Sequence, residues 1–403
     1  MILFEEAKNI IKKNISKLEV EIINFDKSLN YVLAENIIAK ENHPSFNNSA
    51  VDGFAVFQSE VVGASKTNPV KLKIDGVIKA GDEIEIKIKN FSAVKIMTGA
   101  KIPFNCTSVV MVENCDIDGK DVKVLKAPKL NENIRLVGDE IKIGETILKK
   151  GIEITPAALA LMSTLGCKKI KVYKKPKISI LTTGSELVDV TKKLPNGKIR
   201  NSNKYFLQSV LKNNFFDVVF ELHNIKDEEK RITEAIKKSI LKSDVTIITG
   251  GVSVGDYDLV RDVLKKIKVK ELFWGIAIKP GKPTFVGKIN NKFVIGLPGN
   301  PVAVGVIFYE IILPFLNLLK GKEKNIIEAD AIIKKSIQKK TRRLEFLRGI
   351  TEKINNKIFV TPVKGQQSHM MSGLVEADCL ISFPLEKEIL NENDEVKIHF
   401  IPN

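Results

Sequence analysis

The sequence is poor in the residues that build metal and nucleophile sites. It has four histidines, four cysteines and one tryptophan in 403 residues. Cys106, Cys115, Cys167 and Cys379 stand far apart, with no C-x-x-C and no Cys/His pair at zinc-ligand spacing. Reduced, mostly buried thiols follow. His43, His223, His369 and His399 are equally scattered, which disfavours a histidine metal site and a Ser-His-Asp triad. A long apolar run is also missing. The best candidate, 302–319, is interrupted by Glu310 and Pro314, short of the ~18 uninterrupted apolar residues of a membrane span. The first six residues carry acids where a signal peptide would be apolar. These absences predict a cytoplasmic protein with no membrane partner.

Arginine is scarce as well. The net charge of +16 rests on 64 basic residues, of which only Arg135, Arg200, Arg231, Arg261, Arg342, Arg343 and Arg348 are arginines. The lysines are spread along the chain without a basic stripe or interleaved aromatics. That pattern describes a solvated lysine-rich surface, and no nucleic-acid partner is expected. A nucleic-acid binder would instead show steeply salt-dependent retention on DNA.

What is present is an ordinary globular balance, 44% hydrophobic and 28% charged, on a chain too long for one core. Its texture changes along its length. Residues 4–14 have helical period, and 29–39 form a second apolar-periodic stretch. From 51 to about 124 the chain reads as short strands broken by Gly, Pro and Asn, at 54–57, 70–74, 83–88, 92–96, 108–112 and 121–125. A turn-bounded strand over 144–151 precedes a helix over 156–165, with Thr155 as N-cap, Pro156 in the first turn and Gly166 as the stop. Residues 174–319 alternate apolar strands (177–181, 217–222, 245–249, 293–295) with helices (204–213, 227–241, 259–267, 301–318). This predicts a doubly wound, parallel α/β domain. The last ~80 residues return to short strands with Asn-rich turns, the pattern of a small antiparallel β-barrel. The expected division is 1–45 with 140–173 as a discontinuous N-terminal dimerisation domain, 46–139 as an all-β insertion, 174–322 as the α/β domain, and 325–403 as the barrel.

The chemistry is expected at three glycine-bearing turns, each directly after an apolar strand of the α/β domain. They are Thr182-Thr183-Gly184-Ser185-Glu186, Gly250-Gly251-Val252-Ser253-Val254-Gly255-Asp256-Tyr257-Asp258, and Gly296-Leu297-Pro298-Gly299-Asn300-Pro301. Ligands of open α/β sheets bind outside the carboxyl ends of the strands, so the three turns should converge on one edge. Glycine lets backbone N–H groups approach an anion, and a helix start adds partial positive charge. Asn300 as N-cap with Pro301 behind it would give such a start. None of the turns is a Walker A loop or a G-x-G-x-x-G fingerprint. Glu186, Asp244, Asp256 and Asp258 lie in or beside them, and carboxylates beside a phosphate cradle hold Mg²⁺; a helix cap is the plainer reading of Asp256 or Asp258. The segment Lys279-Pro280-Gly281-Lys282-Pro283 holds two cations in a stiff frame suited to an oxyanion.

Taken in order, Asn48-Ser49-Ala50-Val51-Asp52-Gly53-Phe54-Ala55, Ile96-Met97-Thr98-Gly99-Ala100, Thr183-Gly184-Ser185-Glu186-Leu187, residues 250–258, Lys279 to Pro283 and Gly296 to Pro301 resemble the molybdopterin molybdenumtransferase family, which includes MoeA and the gephyrin E domain. The resemblance covers the whole chain. It implies a molybdopterin-binding α/β domain in an elongated homodimer, with a pocket shared across the dimer. The implied reaction is Mg²⁺-dependent cleavage of adenylylated molybdopterin with molybdate, giving molybdenum-molybdopterin and AMP. A molybdopterin adenylyltransferase would act upstream, and molybdoenzymes or their chaperones would receive the product. Asp52, Glu186, Asp258 and Lys279 would be catalytic. Glu186, Asp244 and Asp258 would hold the metal. Thr98, Thr183, Gly184, Gly250, Gly251, Ser253, Gly255, Lys282, Pro298, Gly299, Asn300, Arg348 and Ser368 would bind the ligand, and Arg135 matches more loosely. Two positions depart from the pattern: Gly275 stands where some relatives carry lysine, and Gln367 where glycine commonly precedes the Ser-His pair. The alternative is a non-catalytic scaffold on the same fold, which would tend to lose Glu186, Asp258 and Lys279.

Overall fold

A computed structural model describes residues 1–83, 86–252, 259–323 and 327–401. The α/β domain is built on a six-stranded sheet. Its spatial order is Asp217–Ile225, Lys177–Thr183, Val245–Thr249, Lys292–Leu297, Phe285–Ile289 and Lys270–Trp274. The first four run parallel, Phe285–Ile289 runs against them, and Lys270–Trp274, antiparallel to that strand, runs with the first four. Alternation along each strand decides which helix it meets. Ile178, Ile180, Val245, Ile247, Phe293 and Ile295 pack on one face with Leu207 and Leu211 of helix Ser202–Asn213 and with the helical run 301–319. Leu181, Ile248 and Val294 face the other way, onto Ile236 of helix Glu229–Lys242 and Val263 of helix Leu259–Lys266. The doubly wound arrangement follows from that alternation.

The helical run Pro301–Leu319 is long and apolar enough to cross a bilayer, but 83% of it is buried inside the fold. Its middle, Phe308–Ile312, is a π-helical turn that carries the buried Glu310 against His399 of the barrel, at 2.8 Å. The barrel closes through Leu344–Ile354, Lys357–Pro362, Glu328–Ile333, Glu395–Phe400 and Cys379–Phe383. Four of its five pairings are antiparallel and one, between Glu328–Ile333 and Lys357–Pro362, is parallel.

The insertion is a curled six-stranded sheet with apolar clusters on both faces, one around Phe54, Leu72 and Val110, the other around Ala55, Val94 and Val109. Part of the strand expected over 83–88 lies outside the described residues. Two expectations are corrected. The helix Phe4–Asn14 puts Phe4, Ala7 and Ile11 into the core of the α/β domain, and Ile2 bridges to Ile276. The first fifteen residues therefore belong to that body and not to the discontinuous N-terminal domain. The stretch 29–39 is not helical. It forms the short strands Val32–Leu33 and Ile37–Ile38, which pair with Lys169–Tyr173 and Thr146–Leu148. Asn30 at a φ of 63° breaks any helix there.

The arm formed by residues 20–173 joins the body at one small junction. Leu18 N–H donates to the Leu319 carbonyl. Glu153 accepts from Lys320 at 2.7 Å and from Lys322 at 2.6 Å, and Lys320 is only 2% exposed. Gly321, at a φ of 84°, lies so close to Tyr173 that a Cβ would sit 2.5 Å from its ring.

Candidate functional site

Three neighbouring parallel strands end at the same edge, and their turns touch. A Cβ on Gly250 would lie 2.3 Å from the Thr183 carbonyl oxygen, so that close approach and the φ of 86° both require glycine. Thr183 Oγ1 donates to the Thr249 carbonyl at 3.4 Å. Gly250 N–H donates to the Leu297 carbonyl at 3.1 Å, and a Cβ on Gly299 would lie 3.9 Å from Gly250 Cα. Asn203 Nδ2, at the start of its helix, donates to the Gly299 carbonyl at 2.8 Å, while its Oδ1 is buried without a partner among the described residues. Gly184 has a φ of 145°, and the Glu186 carboxylate folds over it, 2.7 Å from where a Cβ would stand. Among the described residues no side chain donates to that carboxylate.

A second group of residues surrounds a cavity of about 690 Å³ between the α/β domain and the barrel. Lys279, Lys282, Pro298 and Asn300 line it from one side, and Arg343, Glu345, Gln367, Ser368 and His369 from the other. The cavity and the glycine turns meet at Gly299-Asn300. Asn300 occupies the N-cap position but its side chain caps nothing; Nδ2 donates instead to Ser368 Oγ at 2.9 Å. The helix start and the barrel loop are thereby tied together. A larger hollow of about 850 Å³ lies in the insertion, beside Phe46, Ile102 and Phe104. It shares no residue with the glycine turns.

Arg348 is fully buried and does not line the cavity. Its Nη2 donates to the carbonyls of Gly365 at 2.6 Å and Gln367 at 3.3 Å, and Gln366 bonds its backbone. It holds the loop that carries Ser368. Nε and Nη1 have no partner among the described residues, and burial lowers the guanidinium pKa. Unpartnered buried donors beneath a serine loop suit an oxyanion bound in that loop.

Asp244 does not join this group. It precedes its strand, whereas the turns follow theirs, so it sits at the amino edge of the sheet. There Oδ2 accepts from Lys177 N–H at 2.8 Å, which caps the start of a neighbouring strand. Its assignment as a metal ligand beside Glu186 is therefore corrected. Ser253, Gly255, Asp256 and Asp258 lie outside the described residues. Among the described residues no cluster of three or more His, Cys, Asp or Glu is placed to hold a metal.

Asp52 and Thr98 form a separate site on the insertion. Thr98 donates to Asp52 Oδ1 from its N–H at 2.7 Å and its hydroxyl at 2.8 Å, and these two bonds hold the Asp52 carboxyl below its ordinary pKa. Beside them a hollow of about 570 Å³ is lined by His43, Asn48, Gly99 and Arg135. Among the described residues no hydrogen bond or ion pair links this insertion to the α/β domain of the same chain. Gly275, one of the two departures, has a φ of 83° and accepts from Ile2 N–H at 3.0 Å. A lysine there would be strained. Arg343 and Glu345 carry no glycine or proline signal in the sequence. They reach the cavity only because a barrel strand pairs with Ile278–Lys279.

Comparison with known proteins bears on all of these segments. Family profiles match residues 2–166 as the MoeA N-terminal region (domain I and II), 179–318 as a probable molybdopterin binding domain, and 330–401 as the MoeA C-terminal region (domain IV). The molybdopterin molybdenumtransferase of Haemophilus influenzae is 36% identical over 387 residues, covering 94% of this chain and 93% of that one. The protein of the same name from Staphylococcus aureus is 34% identical, covering 94% and 91%. The crystal structure of a molybdopterin biosynthesis MoeA protein from Pyrococcus horikoshii superposes with a TM-score of 0.84 at 27% identity, over the whole of both chains.

Proposed function

The chain belongs to the molybdopterin molybdenumtransferase family, and we propose that it inserts molybdenum by cleaving adenylylated molybdopterin with molybdate and Mg²⁺, releasing AMP. The observation that carries this reading is the union of a glycine-rich strand edge with a cationic cavity through Asn300 and Ser368. Such an edge suits the phosphates. Lys279, Lys282 and Ser368, with Arg348 behind the serine loop, suit a tetrahedral dianion.

Phosphoanhydride cleavage needs charge neutralisation and in-line placement more than a side-chain nucleophile. The thiols agree with that. Burial pushes Cys106 and Cys115 up to about 12, so neither supplies a thiolate at neutral pH. Bound Mg²⁺ would neutralise charge across the scissile phosphates. Glu186 would hold that ion, since its carboxylate stands at the phosphate edge free of competing donors among the described residues. Gly184, Gly250 and Gly251 bring backbone close to the phosphates. Lys279 and Lys282 orient molybdate, which is a substrate.

Asp52 and Thr98 complete the pocket when a second copy of the chain supplies them, and the protein works as a homodimer. An adenylyltransferase feeds it, and molybdoenzymes or their chaperones take its product. The test is direct. The purified protein is incubated with adenylylated molybdopterin, Mg²⁺ and molybdate, and AMP is followed. Release of AMP that needs molybdate is expected. Binding of the nucleotide without any AMP would replace this reading with a non-catalytic scaffold.

A further inference from the structure

The cavity that suits an oxyanion contains a carboxylate. Glu345 is 3% exposed and lines the same hollow as Lys279, Lys282 and Arg343. It stands directly opposite Lys279 in the short parallel ladder that joins the α/β domain to the barrel. Lys279 Nζ donates to both its oxygens, at 3.3 and 3.2 Å. Thr341 Oγ1 donates to Oε1. The Lys279 side chain is 46% exposed, against 4% for that of Glu345, so the lysine can turn into the cavity while the acid stays where it is.

We propose that Glu345 is a resident counter-anion, which occupies Lys279 until a tetrahedral dianion displaces it and so sets the affinity threshold of the cavity. The inference rests on reading the hollow as an oxyanion site. Freeing Lys279 from Glu345 has a fixed cost, whatever the incoming ion. The attraction of Lys279, Lys282 and Arg343 for that ion, reduced by the repulsion of the Glu345 that stays behind, grows with its charge. A dianion therefore keeps measurable affinity despite the cost, whereas a monoanion of the same shape falls below it. Thr341 trims the threshold, because its hydroxyl holds part of the Glu345 charge when the lysine leaves.

The experiment measures binding of molybdate and of perchlorate, a tetrahedral monoanion, by calorimetry at fixed ionic strength. The proteins are wild type, Glu345→Gln, Thr341→Val and Lys282→Gln. Glu345→Gln should bind molybdate about tenfold tighter and gain measurable perchlorate binding. Thr341→Val should bind molybdate about threefold more weakly, the effect of one lost hydrogen bond. A pair that only fastens two domains would weaken binding in both variants, and that result, or unchanged affinity in Glu345→Gln, overturns the proposal. Lys282→Gln separates the two levels. If it binds molybdate as well as wild type does, the ion sits elsewhere, and the oxyanion reading of the cavity fails along with the inference. If it weakens binding while Glu345→Gln changes nothing, the inference alone falls.

Discussion

Single glycines decide where charge can stand at this site. Gly184 leaves room for the Glu186 carboxylate at a distance no Cβ would allow. Gly184→Ala should therefore push the carboxylate away and strain the backbone by about 1–3 kcal/mol. AMP release should fall on the order of a hundredfold, because small displacements of a positioned group are costly. Circular dichroism would show the fold retained; an alanine variant of full activity would remove Glu186 from the chemistry. Residues of this kind were legible in the sequence, because a glycine following an apolar run has few other reasons to be there. The edge position of Asp244 was less so. Acids flank the strands at both ends, and only chain direction separates an acid before a strand from one after it. Arg343 and Glu345 carried no local signal, since a distant strand pairing brings them in.

At the scale of elements, the helical run 301–319 binds the layers together. It fills one face of the sheet and, through its π-helical turn, presents Glu310 to His399. Burial alone would lower the His399 pKa. The Glu310 bond outweighs it, with Glu328 adding to and Lys8 opposing it, and the imidazole is held above its ordinary value. A raised folded-state pKa means that the contact stabilises fully below the unfolded value of about 6.5. That stability is lost as pH rises through the folded value. Urea denaturation of wild type at about pH 6 and about pH 8 should show the decline, and His399→Gln should flatten it. A slope unchanged in the variant would assign the effect to other groups. The helix was readable from its apolar run and from Pro301. The break at 308–312 had a signal too, since Pro314 has no N–H to donate to the Glu310 carbonyl and its ring crowds that oxygen; the pairing of that acid with a strand almost ninety residues later had none. The segment 29–39 misled for a related reason. Its apolar spacing satisfies a helix, but two partner strands far along the chain claim it.

On the scale of the whole molecule, the arm carrying Asp52 meets the body at a junction pinned by Glu153. Glu153→Gln leaves the buried Lys320 without its charged partner, at a cost of about 1.5–3 kcal/mol. The variant should melt earlier, and its small-angle scattering should indicate a wider spread of arm orientations. Adding Lys320→Met should recover much of the lost stability, because an apolar side chain replaces the stranded charge. Failure of the second change to restore the melting temperature would place the effect outside this contact. The sequence announced an all-β insertion by its change of texture. It could not announce the junction, which is made of ordinary lysines and one glutamate separated by more than 160 residues.

The way the arm is attached has one more consequence. The chain leaves the body near Glu19 and returns at Lys174, and these two residues are hydrogen-bonded to each other, N–H to carbonyl at 2.9 Å. Outgoing and incoming ends therefore lie side by side, as at the base of a hairpin. A splice of 19 to 174 would close without a gap, and the trunk would keep its helix Phe4–Asn14 and every strand of its main sheet. The distal lobe is in that sense a graft, which could be excised or exchanged once Lys320 of the stem, stripped of Glu153, is given an apolar side chain.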